Sequence, residues 1–171
     1  MSKIYVISDT HFGHANIINF CNRPFANVDV MDECLVDNWN STVSDQDIVY
    51  HLGDVAFSGA KEILPRLKGK KRLVLGNHDN PKSPTLLNTF QKIMLWRPFP
   101  EYGVILSHMP LLDRGLGGGK TYRELINIHG HIHHKASPSD GHINVSVEWT
   151  DYRPLELEKV LDLHRKSKNV E

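Results

Sequence analysis

Five short groups of polar side chains could bind metal ions, and each group directly follows an apolar run. Apart from His78 and Asp79, the groups offer two carboxylates, one amide and four imidazoles, and they contain no thiolate. Oxygen and nitrogen donors of this kind suit Mn²⁺, Fe, Zn²⁺, Ni²⁺ or Co²⁺ and exclude an iron–sulfur cluster or a zinc-finger site. The groups are Asp9 with His11; Asp54; Asn77 with His78 and Asp79; His108; and His131 with His133.

Seven donors are too many for one ion, but they suit two ions that share a carboxylate and lie about 3.5–4 Å apart, as in two-metal hydrolases. If Asp9 and His11 continue a strand, their side chains point to the same side of the backbone. The same alternation would let His131 and His133 reach neighbouring ions. Each group alone also fits an ordinary polar turn or a satisfied buried histidine, whereas five groups at five strand ends favour one shared centre.

The apolar runs that precede these groups are typical of buried strands, and binding sites in α/β proteins lie at the carboxyl ends of strands. Helices are expected between the early strands, and a helix near the carboxyl terminus is expected from Leu157 to His164. This alternation predicts an α/β fold, a two-sheet β-sandwich flanked by helices in four αββα layers. The predicted strands are 3–8, 47–52, 73–75, 93–96, 102–107 and 125–128, with a hairpin at Asp140-Gly141.

The composition favours one globular domain, residues 1–171, with 40% hydrophobic residues and a formal net charge of zero. A neutral chain has no global field that would attract nucleic acid or an anionic membrane. No apolar segment approaches the length of a membrane span, and the first ten residues are too short for a signal peptide. Cys21 and Cys34 form no disulfide pattern, so a cytoplasmic location is expected. The oligomeric state is left open.

Taken together, the five groups resemble the complete signature of the calcineurin-like metallophosphoesterase superfamily. The matching motifs span residues 9–133 in the order that the family shows. The family fold is a β-sandwich flanked by helices, in agreement with the pattern of strands and helices. The opening His11-Phe12-Gly13-His14 and the small size are also similar to those of compact, phage-like members. The motifs are Asp9-x-His11, Gly53-Asp54, Gly76-Asn77-His78-Asp79, His108 and Gly130-His131-x-His133.

The resemblance implies a role for each motif residue. One divalent ion, with Mn²⁺ favoured, would be bound by Asp9, His11 and His133. A second ion would be bound by Asn77, His108 and His131, and Asp54 would bridge the two.

Two ions that share Asp54 could also share a water and lower its pKa, so that the resulting hydroxide attacks phosphorus in line. His78 follows a ligand but is not one in the family pattern, which makes it the candidate general acid for the leaving group. Asp79 is expected to orient His78 and raise its basicity. The alternative for His78 is a structural role beside the metal ions.

Three other residues are candidates for contact with the substrate. His14 could donate to a phosphate oxygen or brace the first metal site. Arg23 and Arg114 could each clamp a phosphate, although each is also compatible with an ordinary surface arginine. The glycine-rich segment Gly115–Gly119 is expected to be a loop that covers the site or simply connects two elements.

The predicted function is a metal-dependent phosphoesterase, and a compact chain without a large cap favours a phosphodiesterase acting on small nucleotide-like esters. A phosphomonoesterase is the nearest alternative. A nuclease is possible but less favoured, because the chain is neutral and has few exposed aromatic candidates. A non-catalytic scaffold of the same fold is the alternative from a different class, but no motif residue is missing.

Overall fold

Two sheets organise the part of the chain that the computed structural model describes, residues 2–111 and 125–168. In the first sheet, four parallel strands stand side by side and a short fifth strand runs antiparallel to the first of them. The order across this sheet is β4 (Lys92–Met94), β3 (Lys70–Val74), β2 (Ile48–His51), β1 (Ile4–Ile7) and β9 (Leu155–Glu156).

The second sheet has three parallel strands and one antiparallel strand at its edge. Its order is β5 (Trp96–Phe99), β6 (Val104–Ser107), β7 (Ile126–His129) and β8 (His142–Asn144), with β5 antiparallel to β6.

Five α-helices accompany the two sheets in the described residues. The longest is capped by Asn27, whose side chain accepts a hydrogen bond of 2.9 Å from the amide of Val30. No described helix combines the length and the apolar character that a membrane span needs. The helices are α1 (Ala15–Phe20), α2 (Val28–Thr42), α3 (Ala60–Ile63, continued by a 3₁₀ turn over Leu64–Arg66), α4 (Pro84–Thr89) and α5 (Leu157–Lys168).

The first sheet is buried on both faces, which explains why its strands are nearly continuous apolar runs. On β1, Tyr5 and Ile7 pack with α1, α2, α3 and α4, in one cluster that contains Trp39. The alternate residue, Val6, packs against the second sheet in a separate cluster that contains Ile128. The predicted α/β fold of two sheets flanked by helices is therefore confirmed.

The parallel strands bring their carboxyl ends to one edge of the molecule, and hydrogen bonds connect the loops that follow them. The amide of Asp9 donates to the Gly53 carbonyl at 3.0 Å, and the amide of Gly130 donates to the His108 carbonyl at 2.9 Å. The two sheets are joined at this edge because the amide of His131 donates to Asp9 Oδ2 at 2.9 Å. All five polar groups therefore meet there.

Two predictions about strands are wrong. The Asp140-Gly141 turn does not form a hairpin, because β8 pairs with β7 in the parallel direction after the long loop 130–141. The single strand predicted over 93–96 is two strands, since the chain leaves the first sheet after Met94 and enters the second at Trp96.

Candidate metal centre

The carboxylate of Asp54 lies at the middle of the polar groups. Its Oδ2 atom is 3.5 Å from Nε2 of His108, 3.7 Å from Nε2 of His11 and 4.0 Å from Nε2 of His78. Asp54, His11 and His108 are all buried, so these contacts form largely away from solvent. Three loops thus direct imidazole nitrogen atoms toward one carboxylate.

Among the described residues, three sets of three side chains have ligand atoms that lie within 4.8 Å of one another, close enough to hold one ion. Two of them contain the predicted ligands: Asp9 stands with His11 and His133, and Asp54 stands with His108 and His131. The third, Cys21 with Glu148 and His133, shares His133 with the Asp9 set. Asn77 adjoins the second set, because its Oδ1 atom is 2.9 Å from Nε2 of His108. The structure therefore brings together all seven residues that the sequence singled out as donors.

The backbone at these residues is left-handed rather than strand-like. The φ angles of Asp9, His11, Asp54, His131 and His133 lie between 50° and 69°. The expected strand alternation at Asp9-x-His11 and His131-x-His133 is therefore wrong. Non-glycine residues in this region cost on the order of 1–3 kcal/mol each, and such strain concentrates at functional sites. The side chains converge because the backbone turns at each of them.

Glycines let the loops approach one another closely. A Cβ atom added at Gly76 would collide with Oδ1 and the amide nitrogen of Asp54, and one at Gly130 would collide with Ser8 and Asp9. Gly76 lies outside the left-handed region. The absence of a side chain at Gly76 therefore leaves space for Asp54.

The candidate metal ligands around His108 are arranged as a bound cation would require. Nδ1 of His108 lies 2.8 Å from the carbonyl of Leu52, which can only accept, so Nδ1 carries the proton. In the neutral ring, Nε2 then directs a lone pair toward Asn77 Oδ1 and Asp54 Oδ2, which are also acceptors. A divalent ion among these atoms would turn three facing acceptors into ligands.

Buried atoms without partners support the same interpretation at the other set. Asp9 Oδ2 accepts from Ser146 Oγ at 2.9 Å and from the amide of His131, but Asp9 Oδ1 and His11 Nε2 have no hydrogen-bond partner among the described residues. Buried polar atoms are normally paired, so each exception needs an explanation. The chemistry of both sets fits a divalent ion held by nitrogen and oxygen.

Burial and neighbouring charges set the protonation of these groups. Burial raises the pKa of Asp9 and lowers the pKa of His11. Burial would also raise the pKa of Asp54, but a proton on Nε2 of His108, which a divalent ion would replace, holds it below its ordinary value through its hydrogen bond and charge. A neutral His11 and an ionised Asp54 are the forms that bind metal ions.

Sequence reasoning missed Glu148, which orients His133. Its Oε1 atom lies 3.2 Å from Nδ1 of His133, so a proton on Nδ1 leaves Nε2 available as a ligand. Burial alone would lower the pKa of His133, but hydrogen bonds to Cys21 and Glu148 raise it to about 10, so a metal ion that binds Nε2 would displace a proton from the ring. No spacing in the sequence marks Glu148, because it lies fifteen residues beyond its partner in a segment of alternating apolar residues.

Arg23 holds this arrangement together from behind. The side chain of Arg23 is buried, and its Nη2 atom lies 2.8 Å from Glu148 Oε1. Nη2 also donates to the Asp9 carbonyl at 2.7 Å, and Nη1 donates to the Thr10 carbonyl at 3.0 Å. The expected phosphate clamp or surface arginine is therefore wrong for Arg23. Its guanidinium is fully engaged in joining the Asp9 loop to the partner of His133.

His14 and His78 lie at the open side of the centre. His14 Nδ1 is 3.3 Å from His11 Nδ1, and its ring stacks on Phe57 with centroids 3.9 Å apart. Of the two roles expected for His14, this contact favours the bracing of His11. Both histidines line a cavity of about 580 Å³. Arg114 and the segment Gly115–Gly119 lie outside the described residues.

Asp79 does not orient His78, which corrects the expected pair. Its Oδ2 atom accepts from the amides of Gly76 at 2.8 Å and Asp54 at 2.9 Å, and Oδ1 accepts from the amide of Val55 at 3.0 Å. Both carboxylate oxygens are thus committed to backbone donors. Asp79 holds the loop that carries Asp54 against the loop that carries Asn77.

Comparison with known proteins places nearly the whole chain in one family. The profile of the calcineurin-like phosphoesterase family matches residues 2–168. The chain is 39% identical to an uncharacterized protein of Methanocaldococcus jannaschii, over 99% of this chain and 96% of that one. It is 29% identical to a gene 66 protein of Mycobacterium phage D29, over 91% of this chain and 94% of that one.

One solved structure supports the fold over almost the whole chain. A protein of unknown function from Aquifex aeolicus superposes with a TM-score of 0.75 at 30% identity, covering 95% of this chain and 100% of that one.

Replacing Asp79 should lower the stability of the fold more than it lowers proton transfer by His78. Asp79→Ala leaves three backbone donors without their charged acceptor, so the free energy of unfolding should fall by about 2–4 kcal/mol in chemical denaturation. The exposed Asp37→Ala is the control and should change it by less than about 0.5 kcal/mol. If Asp79→Ala left the free energy of unfolding unchanged but abolished proton transfer by His78, the expected orientation of His78 by Asp79 would be correct after all.

Proposed function

This chain belongs to the calcineurin-like phosphoesterase family, and from this we propose that it hydrolyses phosphodiesters of small nucleotide-like molecules with the help of two divalent metal ions. Membership of this family supports phosphoester hydrolysis in general. The observation that carries the proposal is the pair of three-donor sets, one with Asp9 and one with Asp54, at a single edge of the fold.

We propose that one ion is held by Asp9, His11 and His133, that the other is held by Asn77, His108 and His131, and that Asp54 contacts both. The favoured ion is Mn²⁺, since the donors are carboxylate, amide and imidazole; Fe, Zn²⁺, Ni²⁺ and Co²⁺ suit the same donors. When bound, ions that share a carboxylate activate water near neutral pH and stabilise the negative charge that develops on phosphoryl oxygens.

His78 is the proposed general acid for the leaving group. Its backbone amide is fixed by a 2.9 Å hydrogen bond to Asp54 Oδ1, while its ring is about half exposed and lines the cavity. Nε2 of His78 lies 4.0 Å from Asp54 Oδ2. This placement lets the ring deliver a proton to an alkoxide beside the metal ions without serving as one of their ligands.

A preference for diesters is supported by two cavities that flank the centre. The first, of about 580 Å³, is lined by His11, His78 and His133. The second, of about 390 Å³, lies at Asn77 and His108 and has an apolar wall that includes Met109. A phosphomonoester needs room for one organic group, whereas a diester needs room for two.

The direct test is hydrolysis of bis-p-nitrophenyl phosphate and p-nitrophenyl phosphate by protein freed of metal and then supplied with Mn²⁺. We expect turnover of the diester to appear only with metal and to exceed that of the monoester. Exclusive turnover of the monoester would make the protein a phosphomonoesterase. Protein that binds no metal and cleaves neither ester would be a scaffold with the family fold.

His78→Ala should lower kcat by about 10²–10⁴-fold while the bound metal per chain stays unchanged. The loss should be greater for a phenyl diester than for the p-nitrophenyl diester, because phenolate is the poorer leaving group and depends more on protonation. The two rates and metal analysis of the same preparations provide the measurement. Loss of metal together with activity, or equal losses for both esters, would assign His78 a structural role.

A further inference from the structure

Two phenylalanine rings stand exposed at the cavity beside the metal centre. Phe20 is 69% exposed and Phe57 is 48% exposed, and both line the cavity of about 580 Å³ that also reaches His11, His78 and His133. Single exposed apolar side chains are ordinary on a protein surface. Two aromatic rings on the wall of a cavity that contains proposed metal ligands are not ordinary surface residues of this kind, because a molecule bound in the cavity would cover them.

The exposure of Phe20 departs from the pattern of its helix. One side of α1 is buried in the core through Ile17. Phe20 follows Ile17 by three residues and so belongs to nearly the same side of the helix. Its ring nevertheless stays largely in solvent and lies edge-on to His14, with centroids 6.2 Å apart. The core therefore does not account for an aromatic residue at this position.

The ring of Phe57 is held in place by the imidazoles of the centre. It stacks on His14 at 3.9 Å with planes 20° apart and on His11 at 5.3 Å with planes 22° apart, and it tilts against His78 at 5.1 Å. A ring fixed by three neighbours loses little freedom when a ligand contacts its remaining surface. Phe57 therefore extends the metal centre with a rigid apolar surface.

We propose that Phe20 and Phe57 form a stacking platform for the base of a nucleoside phosphoester, a proposal that rests on the function proposed above and specifies its substrate. Planar bases stack on aromatic side chains regardless of their sequence, and each such contact contributes roughly 1–3 kcal/mol by alanine substitution. Lys135 lines the same cavity and supplies positive charge for an anionic ligand. The substrate is therefore an ester with a base on one arm.

The test compares ligands with and without a base. One ligand is the adenosine phosphonate in which CH₂ replaces the ester oxygen, so that it cannot be hydrolysed, and the other is ethylphosphonate. Calorimetry with the Mn²⁺-loaded protein should show tighter binding of the adenosine compound. Phe20→Ala and Phe57→Ala should each reduce this preference about fivefold or more. Leu87→Ala, which removes a side chain that is 55% exposed on α4, is the control and should preserve it.

A second measurement separates this proposal from the proposed function. Saturation-transfer NMR with adenosine alone requires no phosphate site, and the base protons should receive saturation from the wild type but much less from Phe20→Ala. If neither phosphonate binds but adenosine shows this dependence, the proposed binding of the phosphate group beside the platform fails and the platform stands. Equal affinity of the wild type for both phosphonates, or a preference that survives both substitutions, would overturn the platform.

Discussion

The structure depends on a constraint at Asp54: acceptor atoms from separate loops face one another in a buried space. His108 directs Nε2 toward the oxygens of Asn77 and Asp54, and Oδ1 of Asp9 and Nε2 of His11 have no partner among the described residues. Facing acceptors that are removed from water destabilise a fold unless something positive lies between them. The rest of the structure is explained by the need to hold these atoms together.

At the edge of the two sheets, the shape of the backbone rather than the reach of long side chains brings these acceptor atoms together. Five donor residues adopt left-handed φ angles, and the resulting strain is offset by contacts that lock each loop. Asp79 binds three amides, and Arg23 ties the Asp9 and Thr10 carbonyls to Glu148. The glycines before Asn77 and His131 let these loops lie close enough for the donors to meet.

The sequence was sufficient to predict the two-sheet fold and the meeting of seven polar side chains at one edge, because each group follows an apolar run and the ends of parallel strands share an edge. It was not sufficient for the residues that hold the donors. Glu148 lies 125 residues from Arg23, and Asp79 lies 25 residues from the Asp54 amide that it binds. Such pairings are set by tertiary packing and leave no local pattern. The hairpin at Asp140-Gly141 failed for the same reason, since β7 is the partner of β8.

The central claim is that Asp54 joins two metal ions in one centre, and manganese titration followed by electron paramagnetic resonance tests it most directly. The account predicts two Mn²⁺ per chain and a spectrum of spin-coupled ions, because ions that share a carboxylate lie about 3.5–4 Å apart. Asp54→Ala should abolish the coupling. A single bound Mn²⁺, or two ions whose spectra are uncoupled in the wild type, would contradict the account.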